Sequence, residues 1–433
     1  MAQEEYTGLW KEVEALELEG KFKSASEIVD EIYNRAKRQG EETQLVKSFL
    51  YRSKFLMLLQ EDAQDIILAD IKEAINTSTF PVDAILKSIQ AGMLEQYLAR
   101  NGGRIRDRSQ LQDSVIGKDY KSWDATTLVS NISDLYRASL YNDEGLKKIS
   151  SSDFEEILTI NKSSAEYRPT LYDILAHRAL AFYKLDHWDV NRPRDRFFLT
   201  DSKLFAGTDG FLKAKLQTAD SVFSLLPAIR IYQELERFHI SRDTLAYLDV
   251  LLSRLNFVKY NSPVPEREQY FLKTLSDTWD GYKMHAASGL VGYEMAQMLY
   301  GQTAVADAKN IPELSGKRIE AAGICAEVIA RFPNSIGAVQ CQLLLLNIER
   351  PTVDLEVEKY LRPHLPFLVK VTYRNLDSLF VTIYRDPDKS ISGMDYSRSR
   401  DSALIAMLRR SEPLHQKDFR FSQPRDYLVT VPK

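Results

Sequence analysis

Cysteine is nearly absent from this chain of 433 residues, where Cys325 and Cys341 are the only two. Two thiols exclude a disulfide-rich scaffold, and a chain of this length builds a core without covalent staples. Helix breakers are scarce too: 18 glycines and 15 prolines fall below the roughly 12% that the two make up in average usage. The six histidines include no HExxH pair and no Cys/His zinc spacing. No apolar run approaches the roughly 18 residues of a membrane span; Phe55-Leu56-Met57-Leu58-Leu59 is far too short. Charge of one sign is also missing. The 57 basic and 61 acidic residues leave a net charge of −4 with no dominant block, which argues against nucleic acid or anionic membrane as the main partner. Met1-Ala2-Gln3-Glu4-Glu5-Tyr6 has neither the positive start nor the apolar stretch of a signal peptide. The chain therefore reads either as cytoplasmic or as one that begins after a cleaved leader.

What is present is helical periodicity. Leu9, Val13 and Leu16, then Ile28 and Ile32, recur at three- and four-residue steps, as one buried face requires. Glu19-Gly20-Lys21-Phe22 reads as a turn between two helices, with glycine supplying the backbone freedom. Pro81 suits the first turn of a helix that Asn101-Gly102-Gly103 would end. Further helices are expected at 124–141, 170–184, 220–238, 241–258, 266–281, 286–301, 316–331 and 335–348. Segments 101–123, 186–219 and 302–315 interrupt them and read as excursions on one face. Phe22 and Ala25 after Gly20 match a tetratricopeptide helix pair. Ala321, Cys325, Val328 and Pro333 match its second helix and stop, with Tyr293, Ala296 and Tyr300 as a first helix. Residues 1–350 are accordingly expected to be a tetratricopeptide-like helical-repeat array, an α-solenoid.

The period changes at Arg350-Pro351-Thr352, which is expected to separate two domains. Phe367, Val369, Val371 and Tyr373 alternate with polar or outward positions, as do Leu379, Val381 and Ile383. Arg374-Asn375-Leu376-Asp377 between them is turn chemistry, so an antiparallel hairpin is expected. Val353–Val357 and Tyr427–Val431 add strands, and a short helix falls near 402–410. Residues 351–433 are read as a small antiparallel β domain of sandwich type.

Catalytic chemistry leaves little trace. The sequence has no GxxxxGK[ST] loop, no GxGxxG and no GxSxG elbow. Asp173 and His177 stand four apart on one helical face, where they either share a ligand or form a hydrogen-bonded structural pair. Gly207-Thr208-Asp209-Gly210 follows no strand and reads as a turn. Arg100, Arg104, Arg106 and Arg108 with Gly102-Gly103 make a basic loop, solvated or phosphate-binding, with Asp107 and Asp113 diluting its charge. Phe182, Tyr183 and Tyr232 read as packing residues. Cys325 lies eight residues before Pro333 and Cys341 eight after it, so a helical hairpin there would let them face each other, bridged or as two buried thiols. No catalytic, cofactor-binding or metal residue is assigned.

Tyr167-Arg168-Pro169-Thr170-Leu171-Tyr172-Asp173-Ile174-Leu175-Ala176-His177-Arg178-Ala179-Leu180 resembles the helical N-terminal region of bacterial, Bacteroidetes-type alpha-2-macroglobulin family proteins. Leu9–Glu14 with Lys23-Ser24-Ala25, Ile231–Leu235, Arg331–Ser335 and Pro366–Asp377 are similar to the same family in order and spacing. The resemblance implies a tetratricopeptide-like array followed by the first macroglobulin-type β domain of a longer, exported protease-trapping envelope protein. Its partners would be proteins: later domains of the same parent, proteases or envelope proteins. The family's Cys-Gly-Glu-Gln thioester is not in this sequence, and no family site residue transfers to it. The expectation is a non-enzymatic, monomeric scaffold without cofactor or metal, periplasmic or at the cell surface. The alternative is a stand-alone cytoplasmic tetratricopeptide adaptor for a peptide or protein.

Overall fold

Val13 and Ile32, each marked by the helical spacing, meet at the first core of the molecule. It consists of Tyr6, Trp10, Val13, Ala25, Val29, Ile32, Ala36 and Phe55, with Leu9, Leu16, Phe22 and Ile28 half-buried against it. The helices that supply it are α1 (Ala2–Leu18), α2 (Phe22–Gln39) and α3 (Glu42–Leu59). Gly20 between α1 and α2 has φ +73°, a left-handed backbone that glycine adopts without steric cost, so the expected turn forms there. The computed structural model describes residues 2–106, 119–157, 162–185, 187, 190, 196–218, 224–303, 314, 316–358, 360, 365–384, 402, 404–406, 408–421 and 427–428.

The longer helices continue as α4 (Ala63–Thr77), α5 (Val82–Arg106), α6 (Ala125–Ser139), α7 (Leu171–Tyr183), α8 (Leu226–His239), α9 (Thr244–Asn261), α10 (Arg267–Gly281), α11 (Ser288–Gln302), α12 (Lys317–Arg331) and α13 (Ile336–Glu349). The protein is mostly helical, with small antiparallel strand pairs near its C-terminus. It forms two compact units, Met1–Thr274 and Leu275–Lys433, whose boundary falls within α10. In the first unit, α1 to α6 each pack on the next, and α8 packs on α9.

Two expected breaks turn out otherwise. Helix α5 does not stop at Asn101-Gly102-Gly103 but runs on to Arg106. Asn101 Nδ2 donates to the Tyr97 carbonyl at 3.0 Å, and fully buried Ile105 draws the last turn inward. Arg100 and Arg104 are therefore exposed on a helix rather than in a basic loop; Asp107, Arg108 and Asp113 lie outside the described residues. The second break, 186–219, is no excursion where it is described. Leu199, Leu204, Phe205 and Phe211 are buried, and the expected turn Gly207–Gly210 leads into a one-turn helix, Thr208–Phe211. Arg192-Pro193 in that segment and Pro312 in the third lie outside the described residues.

In the second unit, α11, α12 and α13 pack together. A side chain on Gly337 would stand 2.2 Å from the Gly289 carbonyl carbon, and one on Gly292 would stand 2.6 Å from Val328. Small residues let α11 and α13 touch backbone to backbone, at Gly289 and Gly337. Past Glu349 the chain turns to strands: β1 (Thr352–Val357) pairs antiparallel with β2 (Val369–Arg374), and β3 (Ser378–Ile383) with β4 (His415–Arg420). The hairpin expected between 367–373 and 379–383 is not made. Asn375 takes φ +55° and donates from Nδ2 to the Ile348 carbonyl at 2.7 Å. Anchored so to the end of α13, the turn passes the chain from one two-stranded sheet to the other. Residues 402, 404–406 and 408 are helical as expected, whereas 429–431 of the expected last strand lie outside the described residues.

Candidate functional site

Three helices of the first unit, α3, α5 and α7, turn apolar side chains toward a common space beside their contacts. From α3 come Leu50, Ser53, Lys54, Met57 and Leu58; from α5 come Ile85, Ile89, Gly92, Met93 and Gln96. Helix α7 adds Leu171, Ile174, Leu175 and Arg178, and the segment before it adds Phe154 and Ile157. Each set recurs at steps of three and four, so each is one face of its helix. Between them lies an open groove of about 650 Å³. Its α3 lip is apolar and exposed: Met57 is 59% and Leu58 54% accessible.

Helix α7 is held in place by its own start. Thr170 and Asp173 form a reciprocal capping box, in which the Asp173 backbone N–H donates to Thr170 Oγ1 and the Thr170 N–H to Asp173 Oδ2. Such a box satisfies two of the orphan donors of a helix end. The second Asp173 oxygen lies 2.6 Å from His239 Nε2 on α8, both side chains being buried. The Asp173–His177 pair considered from spacing is thus not what forms; Asp173 bonds across to a residue 66 positions later. His177 faces α9 instead, with Nε2 4.0 Å from Asp249 Oδ2 and its buried Nδ1 without a hydrogen-bond partner. Burial, reinforced by the nearby Arg168, pushes the His177 pKa down to about 3, and burial raises that of Asp249. A neutral imidazole beside a carboxyl of raised pKa is a packed polar contact rather than an ion pair.

A second buried network sets α8 against α9. Arg254 and Glu236 are both fully buried, with Nε to Oε1 at 2.8 Å. Arg254 Nη1 also donates to the Leu204 and Ala206 carbonyls, at 2.6 and 3.0 Å. Glu236 Oε2 accepts from Thr208 Oγ1 at 2.7 Å, and Tyr247 completes the chain of contacts. These bonds explain why 196–211 folds inward: its carbonyls are the acceptors that a buried guanidinium requires. Tyr183 and Tyr232 are buried, as their spacing suggests, but each also bonds a serine, Ser133 and Ser253.

The polar side chains at the groove itself are Ser53, Lys54, Gln96 and Arg178, and of these Arg178 bridges two walls. Its side chain crosses from α7 to α5, donating from Nε to Ser88 Oγ at 2.9 Å and from Nη2 to the Ser88 carbonyl at 3.2 Å. Gly92 makes room, since a Cβ there would stand 3.0 Å from Arg178 Nη2. Ser88, Gly92 and Arg178 were not singled out from the sequence. The available signal was Gly92, an isolated glycine within a strong helical pattern, which marks a close approach. Elsewhere in the unit, a polar hollow of about 630 Å³ is lined by Glu41, Asp153, Glu155 and Glu156; among the described residues no acidic one lines the α3–α5–α7 groove.

Cys325 and Cys341 do face each other across the α12–α13 turn, as two buried free thiols. Their mutual hydrogen bond lowers the Cys325 pKa and raises that of Cys341. Among the described residues, no group of three His, Cys, Asp or Glu is placed to hold a metal ion, and no helix is long and apolar enough to cross a membrane. Neither the family models, nor the curated proteins, nor the solved structures contain a match to this chain.

Proposed function

We propose that the chain is a non-catalytic protein-interaction scaffold whose α3–α5–α7 groove receives an apolar segment of a partner protein. The observation that carries this reading is the groove: about 650 Å³, open, walled by three helix faces and edged by exposed Met57 and Leu58. Exposed apolar surface of this kind, backed by a rigid helical frame, marks a docking site. The consecutive packing of α1 to α6 and of α11 to α13 favours a tetratricopeptide-like array as the frame, and the strand pairs after it favour the start of a macroglobulin-type β domain. The resemblance along Tyr167–Leu180 and Pro366–Asp377 supports reading the scaffold as the front of an exported, protease-trapping macroglobulin-like protein. Its groove would then hold a segment of an envelope protein, a protease or the parent.

Two measurements test the reading. Peptides selected for binding to the chain should lose affinity when the exposed lip is made acidic by Met57→Glu with Leu58→Glu, while the melting temperature stays unchanged. Selected peptides indifferent to that change overturn the groove. For the parent, coding sequence that runs past Lys433 into further β domains supports the macroglobulin placement, and a stop codon there favours the adaptor.

A further inference from the structure

Resting on that reading of the groove, we infer that its occupant is an amphipathic helix carrying one acidic side chain, held by Arg178. The groove is unlike the rest of the molecule in charge. The chain as a whole is slightly acidic, at −4, yet among the described residues the groove lining has two cations, Lys54 and Arg178, and no carboxylate. Lys54 is already engaged by Glu17 on α1. Among the described residues Arg178 has no acidic partner: its bonds go to the hydroxyl and the carbonyl of Ser88. Those two bonds use two of the five guanidinium N–H groups. They fix the plane of the guanidinium while leaving three donors for a ligand. An exposed guanidinium pinned at one edge and open at the other suits a carboxylate, which accepts two parallel N–H bonds.

The walls define the rest of the occupant. Met93 and Ile89 on α5, Ile174 on α7 and Met57 on α3 offer apolar ridges at helical spacing. A partner helix enters such a groove with apolar anchors at i, i+3, i+4 and i+7. Methionines adapt to different side chains, so the apolar contacts tolerate variety. The salt bridge at the rim would then set the orientation and register of the helix.

The test is selection from a displayed library of random peptides, roughly 16 residues long and so able to form a helix, panned against the full chain. Each peptide is fused through its C-terminus to the display protein, so every carboxylate it offers is a side chain. The expected winners have the apolar helical spacing and one Asp or Glu beside it. Changing that residue to Asn or Gln in the peptide should weaken binding by roughly tenfold. Arg178→Gln should weaken the parent peptide as much and the neutral peptide hardly at all, because the two changes remove one interaction. The peptide-side change needs no protein variant, so the test stands even if Arg178→Gln disturbs α7. Winners without an acid, bound equally by Arg178→Gln yet lost on Met57→Glu with Leu58→Glu, overturn this inference and leave the groove reading intact. Winners insensitive to the lip substitutions overturn both. So does binding of dodecanoate with no peptide selected, which would make the groove a site for an amphiphile.

Discussion

Between α8 and α9 charge is buried, whereas along β1 apolar side chains are bare. Arg254 and Glu236 are 0% exposed, and they bond each other, the buried Leu204 and Thr208 and the half-buried Ala206. On β1, by contrast, Val353, Leu355 and Val357 are 46%, 47% and 52% exposed. Between α8 and α9 the buried charges are satisfied within the helical region, and that closure ties the 196–211 segment to the helices. Two-stranded sheets have no such means: each ribbon has two faces and little to bury them against, and ribbons of this kind are marginal alone. What distinguishes the regions is therefore whether the chain supplies its own partner for each side chain.

The strongest way to break the comparison is Arg254→Ala. Truncation leaves Glu236 buried without its partner, which costs about 3–5 kcal/mol. Urea unfolding of the full chain should show that loss in the helical transition; a change below about 1 kcal/mol would mean that water already reaches the pair. Leu175→Ala comes next. Leu175 is 2% exposed on α7, and removing it should cost about 2–5 kcal/mol by the same measurement. An unchanged midpoint would place that face of α7 in solvent.

The helical part was largely legible because periodicity is a local signal: α6 to α13 fall within a few residues of the expected ranges. Partners distant in sequence left no such signal. Asp173 was noticed through His177, its i+4 neighbour, while its real partner is His239 on another helix. Arg178 meets Ser88 and Gly92 across about the same kind of gap, and nothing local ties them together. The β region misled for a related reason. Arg374-Asn375-Leu376-Asp377 has turn residues that suit a hairpin, but the Asn375 amide is taken by the Ile348 carbonyl of α13. β4 reads His-Gln-Lys-Asp-Phe-Arg, which has no apolar alternation to reveal it. Its pairing with β3 sets it, not its own pattern.

Acid should expose the helical region selectively. His177 is held neutral by burial with its pKa at about 3, against about 6.5 for a free histidine. Between these values the unfolded chain binds a proton that the folded chain refuses, so stability is full above about pH 6.5 and falls as the pH drops toward 3. The loss attributable to this one group is on the order of 4 kcal/mol by pH 3. Asp249, with its pKa raised by burial, works in the opposite sense, since its folded form keeps a proton longer. The comparison of wild type with His177→Gln isolates the histidine: the variant should show a flatter decline in urea midpoint from pH 6.5 to 3. Parallel declines would show that His177 is solvated.

The helices of the second unit should respond in proportion to their contact. Gly337→Ala puts a Cβ where the Gly289 backbone already stands. Overpacking of this kind costs about 1–3 kcal/mol, read as a lower melting temperature. No loss would mean that α11 and α13 separate easily.

The smallest effect is the one that sharpens the comparison most. Leu355→Thr removes an apolar side chain that is 47% exposed and puts a β-branched residue of good strand propensity in β1, opposite Val371. If the strand face is bare in solution, the isolated chain has little to lose, and its stability should change by no more than about 0.5 kcal/mol. A loss of about 2 kcal/mol would mean that the face is covered, and dependence of that loss on protein concentration would identify the cover as a second copy. The same substitution in a longer chain that continues past Lys433 gives the contrast. There a following β domain packed on β1 would turn a neutral change into a costly one, because burial against a neighbour is what gives an exposed leucine its stabilising value.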